Sequence, residues 1–230
     1  MSGNNGQSST EAQGKWKIDL DRLPRLLEFD PPLSEEEFDK FRDDNDSLYS
    51  EQTPEGNITM NPPGGSWTGA AEFEIAFQLR TWIERTKTGG MVFGPSSTFR
   101  LPDRSALIPD VGYLTPQRLC KVPDPGKTIL SICPNFVVEL MSNSDLRTDK
   151  YQAAKYKMNC WLDNGAELGL LVDPYNRHIW IYRPPWPAPQ CIKNMQVACD
   201  SPIHGFLLNL GPVWNIIDRS GAAILPEMDR

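Results

Sequence analysis

The chain has 230 residues, 39% hydrophobic and 23% charged, the balance of a globular protein long enough to bury its own core. No run of about 18 apolar residues occurs, which excludes a membrane-spanning helix. The net charge of −7 is uneven: residues 1–65 hold six Lys/Arg against fourteen Asp/Glu, whereas residues 66–230 hold seventeen against sixteen. The acidity thus sits in the amino-terminal quarter, and the near-neutral remainder neither favours nor excludes a phosphate-rich substrate. The first thirty residues lack an apolar core followed by a cleavage site, so a cytoplasmic location is expected. Cys120, Cys133, Cys160, Cys191 and Cys199 form no C-x-x-C pair and stand at no zinc-finger spacing from His178 or His204. They are expected to be buried, reduced thiols.

Residues 1–14 are polar and rich in Gly, Ser and Asn, the composition of a flexible tail. The stretch that follows is interrupted by Pro24, Pro31 and Pro32, so residues 1–32 are expected to lie outside the domain proper, as tail and surface wrap. Ser34 and Glu37 make a capping box that opens a short helix with Phe38 and Phe41 on one face. Residues 48–60 predict a strand, a Pro-Glu-Gly-Asn turn and a second strand. A long amphipathic helix is expected over AAEFEIAFQLRTWIER, where Phe73, Ala76, Phe77, Leu79 and Trp82 recur at helical spacing. Short strands follow in MVF, TFRL and SALIPDVGYL, then loop over residues 115–130. CPNFVVELMS is an apolar run with the signature of a buried central strand. A helix from Leu146 to Leu162 ends at Asn164–Gly165, a left-handed cap signal. GLLVDP is a second central strand, and HIWIYRP is its hairpin partner. This alternation predicts one mixed α/β sheet with helices packed on it. The domain spans residues 33–215, and residues 216–230 are a carboxy-terminal tail.

Three acids stand out by position. Asp110 follows Pro109 inside ALIPDVGYL, Glu139 sits in the middle of FVVELMS, and Glu74 lies on the long helix. An unpaired carboxylate in so apolar a strand costs several kcal/mol, roughly, so each needs a cation, a metal or a hydrogen-bond network. Hard divalent cations take such oxygen ligands, and an acid cluster around one could polarise a phosphodiester and acidify the attacking water. Ser142 and Ser144 lack a His–Asp partner at any readable spacing, so a hydrolase triad has no support.

These landmarks resemble a known family. LSEEEF, then DSLYSEQTPEGNITMNPPGG, EIAFQL, SSTFRLPDRSALIPDVGYL, CPNFVVELMSNSD, KMNCWLDNGAELGLLVDP and GFLLNLGPVW, taken in order from Leu33 to Trp214, look like the Uma-two family of restriction-endonuclease-like domains in the PD-(D/E)XK nuclease superfamily. The resemblance implies an α/β fold with a central mixed sheet flanked by helices and an amino-terminal α-β-β extension. It implies an endonuclease hydrolysing DNA with Mg²⁺ or Mn²⁺, no membrane partner, and a homodimer where both strands are cut. Asp110 matches the PD element, Glu139 the second acid, Glu74 the glutamate of the first core helix and Gln78 the glutamine one turn on. Glu74, Asp110 and Glu139 are the metal ligands so implied. The pattern departs at its lysine, because Glu139–Leu140–Met141 stands where Glu-x-Lys is expected. Side chains alternate along a strand, so Met141 projects where the lysine would. Related sequences carry a lysine on the next helix instead, which assigns the role to Lys157 at the head of KMNCWLDNG, with Lys150 as the alternative. The competing reading is an inactive nuclease fold serving as a nucleic-acid-binding or interaction module.

Overall fold

The computed structural model describes residues 26–45, 48–61, 65–122, 128–142, 148–185 and 188–221. The polar segment 1–14 and most of the carboxy-terminal tail lie outside them.

Two six-stranded sheets organise the chain. The first runs in the order β1 (Leu26–Leu27), β3 (Ile58–Asn61), β2 (Tyr49–Gln52), β6 (Ala106–Leu107), β5 (Thr98–Arg100), β8 (Ile129–Leu130). Helix α1 (Glu35–Asp44) starts at the Ser34–Glu37 capping box, with both reciprocal bonds formed. It buries Phe38 in a small cluster with Ile58, Ala106 and Ile129. Arg100 ties this layer together: its guanidinium pairs with Asp39 at 2.7 Å and donates to the Gln52 side chain.

The second sheet runs β12 (Gln190–Ile192), β11 (His178–Tyr182), β10 (Leu168–Asp173), β9 (Phe136–Leu140), β7 (Val111–Leu114), β4 (Met91–Phe93). Strands β9 and β10 run parallel, and every residue of both is buried, which is why neither shows polar alternation. Helix α4 (Thr148–Asp163) makes the crossover between them and closes with Gly165 at φ +106°, as the Asn-Gly signal predicts.

Each face of this sheet is covered. On one side α2 (Ser66–Thr86), α5 (Gly211–Asp218) and the hairpin β13 (Gln196–Cys199)–β14 (Phe206–Asn209) enclose Ile75, Leu79, Trp82, Val138, Leu170 and Trp214. On the other, Met158 and Trp161 of α4 pack on Val137, Met141 and Leu171. A Cβ at Gly169 would collide with Met158, so glycine lets the helix approach β10 closely. That close approach sets the height of α4 over Glu139.

The architecture expected from the sequence is present, with several differences: residues 115–130, expected as loop, hold the one-turn helix α3 (Pro116–Leu119) and β8, and β1 of the expected wrap joins the first sheet. ALIPDVGYL is not one strand. Pro109 has no N–H to give a ladder, so the chain leaves the first sheet after Leu107 and joins the second at Val111. Residues 108–110 therefore cross between sheets. The amino-terminal hairpin, expected as an appendage, instead pairs through β2 with β6 and completes a second sheet. Of the five free cysteines, Cys133, Cys160 and Cys199 are buried as expected, but Cys120 and Cys191 are exposed. Among the described residues no helix is long and apolar enough to cross a membrane.

Candidate active site

The functional side chains converge where the two sheets meet beneath α4. Asp110 stands at the end of the Pro109 break, one residue before β7. Because Val111 pairs with Val138, Asp110 falls beside the Glu139–Leu140 end of β9. Its Oδ2 accepts a hydrogen bond from the Leu140 amide at 2.6 Å. The proline that ends the ladder thus frees the aspartate to reach across it.

Glu139 is 7% exposed, and both of its oxygens are engaged. Trp161 Nε1 donates to Oε1 at 2.8 Å, and Lys157 Nζ donates to Oε2 at 3.0 Å. Lys157 and Trp161 are four residues apart on α4, so they share a helix face and bracket one carboxylate. Sequence reasoning favours simple packing for Trp161; the structure gives its indole a polar partner at the centre of the site.

Lys157 makes two further contacts, to the Ile108 carbonyl at 2.6 Å and to Glu51 Oε1 at 2.9 Å. Its side chain keeps 20% of its exposure, against 9% and 5% for those of Glu139 and Glu51, so the lysine forms the outer lip of the cluster. Burial disfavours its charge, but the carboxylates of Glu139, Glu51 and Asp110 outweigh that and hold the ammonium well above its ordinary range. Met141 is buried among Val137, Met158 and Trp161. The strand position where a lysine would project is therefore apolar, and the positive charge arrives from the helix. Lys155 lies instead over the Tyr151 ring at 4.0 Å, and the side chain of Lys150 falls outside the described part of α4.

On α2, Glu72 is the acid that feels the charges of this cluster. Burial and then the charge of Asp110 push its carboxyl up to about 7, with Lys157 working against them. Glu74, expected there, is engaged elsewhere: Gln78 Nε2 donates to it at 2.9 Å while also bonding the Asn209 carbonyl of β14. Two residues on a helix differ by about 200°, so one helix cannot turn both Glu72 and Glu74 to the same point. The signal was present in the phase of Ala71, Ile75 and Leu79, which places Glu72 and Glu74 on opposite flanks of the buried stripe. Glu51 was not anticipated, because three consecutive residues of β2 are buried and no alternation marks it.

Two carboxylates, Glu51 and Glu139, contact the ammonium, and the charges of Asp110 and Glu72 act nearby, an excess of negative charge in a partly dry setting. Among the described residues no three Asp, Glu, His or Cys side chains already converge into a metal cage. The donor chemistry nonetheless suits a hard divalent cation, since the proton affinity of Glu72 is raised partly by the neighbouring Asp110 charge that such an ion would offset.

The raised Glu72 carboxyl has a measurable consequence. Between its ordinary value of 4.5 and about 7, the folded chain holds a proton that the unfolded chain has released. Stability must therefore fall as pH rises through that window. Discounted for partial exposure, the loss is about 1–2 kcal/mol, or several degrees in melting temperature. Melting curves at pH 5 and pH 8 with a chelator should show this drop, and Glu72→Gln should flatten it. Equal pH dependence in the two proteins would refute the assignment.

The family described as "Putative restriction endonuclease" (Uma2) matches residues 35–210. Among solved structures, "a putative nuclease belonging to DUF820 from Anabaena variabilis ATCC 29413" superposes with a TM-score of 0.65 at 19% identity, covering 81% of this chain and 99% of that one. No curated protein matches. The structural likeness establishes a restriction-endonuclease-like fold, and the sequence match extends over the strands and helices that carry Glu51, Glu72, Asp110, Glu139 and Lys157. The chain belongs to the Uma2 restriction endonuclease family.

Proposed function

We propose that this protein is a nuclease that hydrolyses DNA phosphodiester bonds with Mg²⁺ or Mn²⁺. One observation carries the reading. The cation missing from the strand at Met141 is supplied to the same carboxylate, Glu139, by Lys157 from the next helix. A buried acid beside a second acid and a lysine is the minimum equipment for in-line attack on a phosphodiester.

Glu72, Asp110 and Glu139 would hold the ion. Once bound, it would supply Lewis acidity, lowering the pKa of the attacking water and offsetting charge on the phosphate. Asp110 keeps its orientation through the Leu140 amide, and Glu139 keeps its own through the Trp161 indole. Lys157, at the lip, presents its ammonium to a non-bridging phosphate oxygen or to the attacking water. Gln78 ties α2 to β14 by bonding both the carbonyl and the amide of Asn209, and Glu74 accepts from that same glutamine side chain. A homodimer would place two such sites on opposite strands of a duplex.

The competing reading, an inert fold that binds nucleic acid or protein, draws on the burial of Met141 in an apolar cluster. Incubating the full chain with supercoiled and linear DNA in Mg²⁺, in Mn²⁺ and in chelator separates the two. Metal-dependent nicking that chelator abolishes is the expected result. Absence of both cleavage and calorimetric metal binding would establish the inert reading instead.

A further inference from the structure

We infer that Glu51, from the first sheet, is the positioning residue for Lys157, which makes the amino-terminal α-β-β layer part of the site; the inference rests on the nuclease reading above. Glu51 is 4% exposed, and its Oε1 accepts both the Lys157 ammonium at 2.9 Å and the Ile108 amide at 2.7 Å. One oxygen thus fixes the lysine and the start of the turn that delivers Asp110.

The register of β2 accounts for this placement. Gln52 pairs with Ala106, accepts from Arg100 and donates to the Leu33 carbonyl at 3.0 Å, which locks that residue against the α1 side. Alternation then sends the preceding side chain, Glu51, to the opposite face. That face meets α4 at Lys157.

A second counter-charge has a chemical use. An ammonium has three donors, and here they go to Glu51, Glu139 and the Ile108 carbonyl. If Glu139 alone held the lysine, turning its Oε2 toward an ion would release the amine. Glu51 retains the ammonium at the lip and leaves Glu139 able to serve as a ligand. It acts through Lys157 and Asp110 and touches no reacting atom.

Glu51→Gln separates charge from shape, because its amide oxygen can still accept from Ile108 and Lys157. The direct measurement is the rate at which a pulse of acetic anhydride acylates Lys157 in the metal-free full chain, read by mass spectrometry with Lys193 as internal reference. Glu51→Gln should acylate at Lys157 roughly tenfold faster than wild type, the ratio expected on losing one charge-assisted bond. In DNA cleavage, kcat should fall by a similar factor with KM unchanged, a split that mere loosening of the fold would not produce. If Glu51→Gln does not fold, Glu51→Asp keeps the charge but shortens its reach, and should also speed acylation. Acylation at the wild-type rate in the folded variant overturns the inference, as does an unchanged kcat. A wild type that never cleaves defeats the nuclease reading alone, and the acylation ratio still decides whether Glu51 holds Lys157.

Discussion

Asp110→Asn is expected to fold normally and to lose metal-dependent cleavage by about 10³-fold or more, at or beyond the cost of removing one preorganised electrostatic group. The substitution is chosen for what it keeps. The Asp110 carboxylate accepts the Leu140 amide at 2.6 Å, and an asparagine oxygen can accept it too. Only the charge disappears. Asp110→Ala would also strand a buried amide, at about 1–3 kcal/mol. A comparison of the two melting temperatures therefore divides structural from chemical effects. Loss of charge has a second readout that needs no substrate. The Asp110 charge is the second cause, after burial, of the raised Glu72 carboxyl, so Glu72 should titrate lower in Asp110→Asn. Carboxyl carbon NMR would follow that shift directly, and calorimetry would show a weakened Mn²⁺ isotherm. An asparagine variant that binds Mn²⁺ and cleaves as wild type does would remove Asp110 from the site.

Much of this arrangement was legible in the sequence because the chain states it locally. The Ser34–Glu37 capping box is a four-residue signal and appears as written. The mainly apolar FVVEL and GLLVD segments announce two buried central strands, and a glutamate inside one of them demands a partner. The family resemblance points to Lys157, whose ammonium bonds that carboxylate, whereas Trp161, one helical turn on, reads as packing and yet bonds it as well. The misses have a common physical origin in long-range pairing. The expectation names Glu74 on α2, whereas the charge of Asp110 acts on Glu72, two residues away; which flank of a buried stripe meets Asp110 is a tertiary fact. Pro109 sits within a run that reads as one strand, although a missing N–H is reason enough for a chain to change sheets. Glu51 stands 106 positions before Lys157 in the chain, and no local period could join them.

Lys157→Met is expected to slow cleavage by about 10²-fold while leaving metal binding in place. Methionine keeps most of the stem volume and removes the charge, so the effect reports on the ammonium. The fold will notice the change, because Glu51 and Glu139 lose their cation while remaining 5% and 9% exposed. Removing one partner of a fully buried pair costs about 3–5 kcal/mol, and here less, since the lysine is 20% exposed and the acids can take up protons. Melting at low pH should accordingly recover part of the lost stability. Lys157→Arg should not rescue cleavage, because a planar guanidinium cannot occupy a pocket shaped by three acceptors around one nitrogen. The decisive variant moves the charge rather than deleting it. Met141 lies on the same side of β9 as Glu139, and Met141→Lys returns a lysine to the strand position beside that carboxylate. In the Lys157→Met background, Met141→Lys should restore part of the rate, since the chemistry constrains where the ammonium lies and not which element bears it. Cleavage by Lys157→Met at the wild-type rate would refute the helix-borne lysine. Cleavage by Met141→Lys from a wild type that shows none would mean that this chain keeps the acids of a nuclease without its working cation.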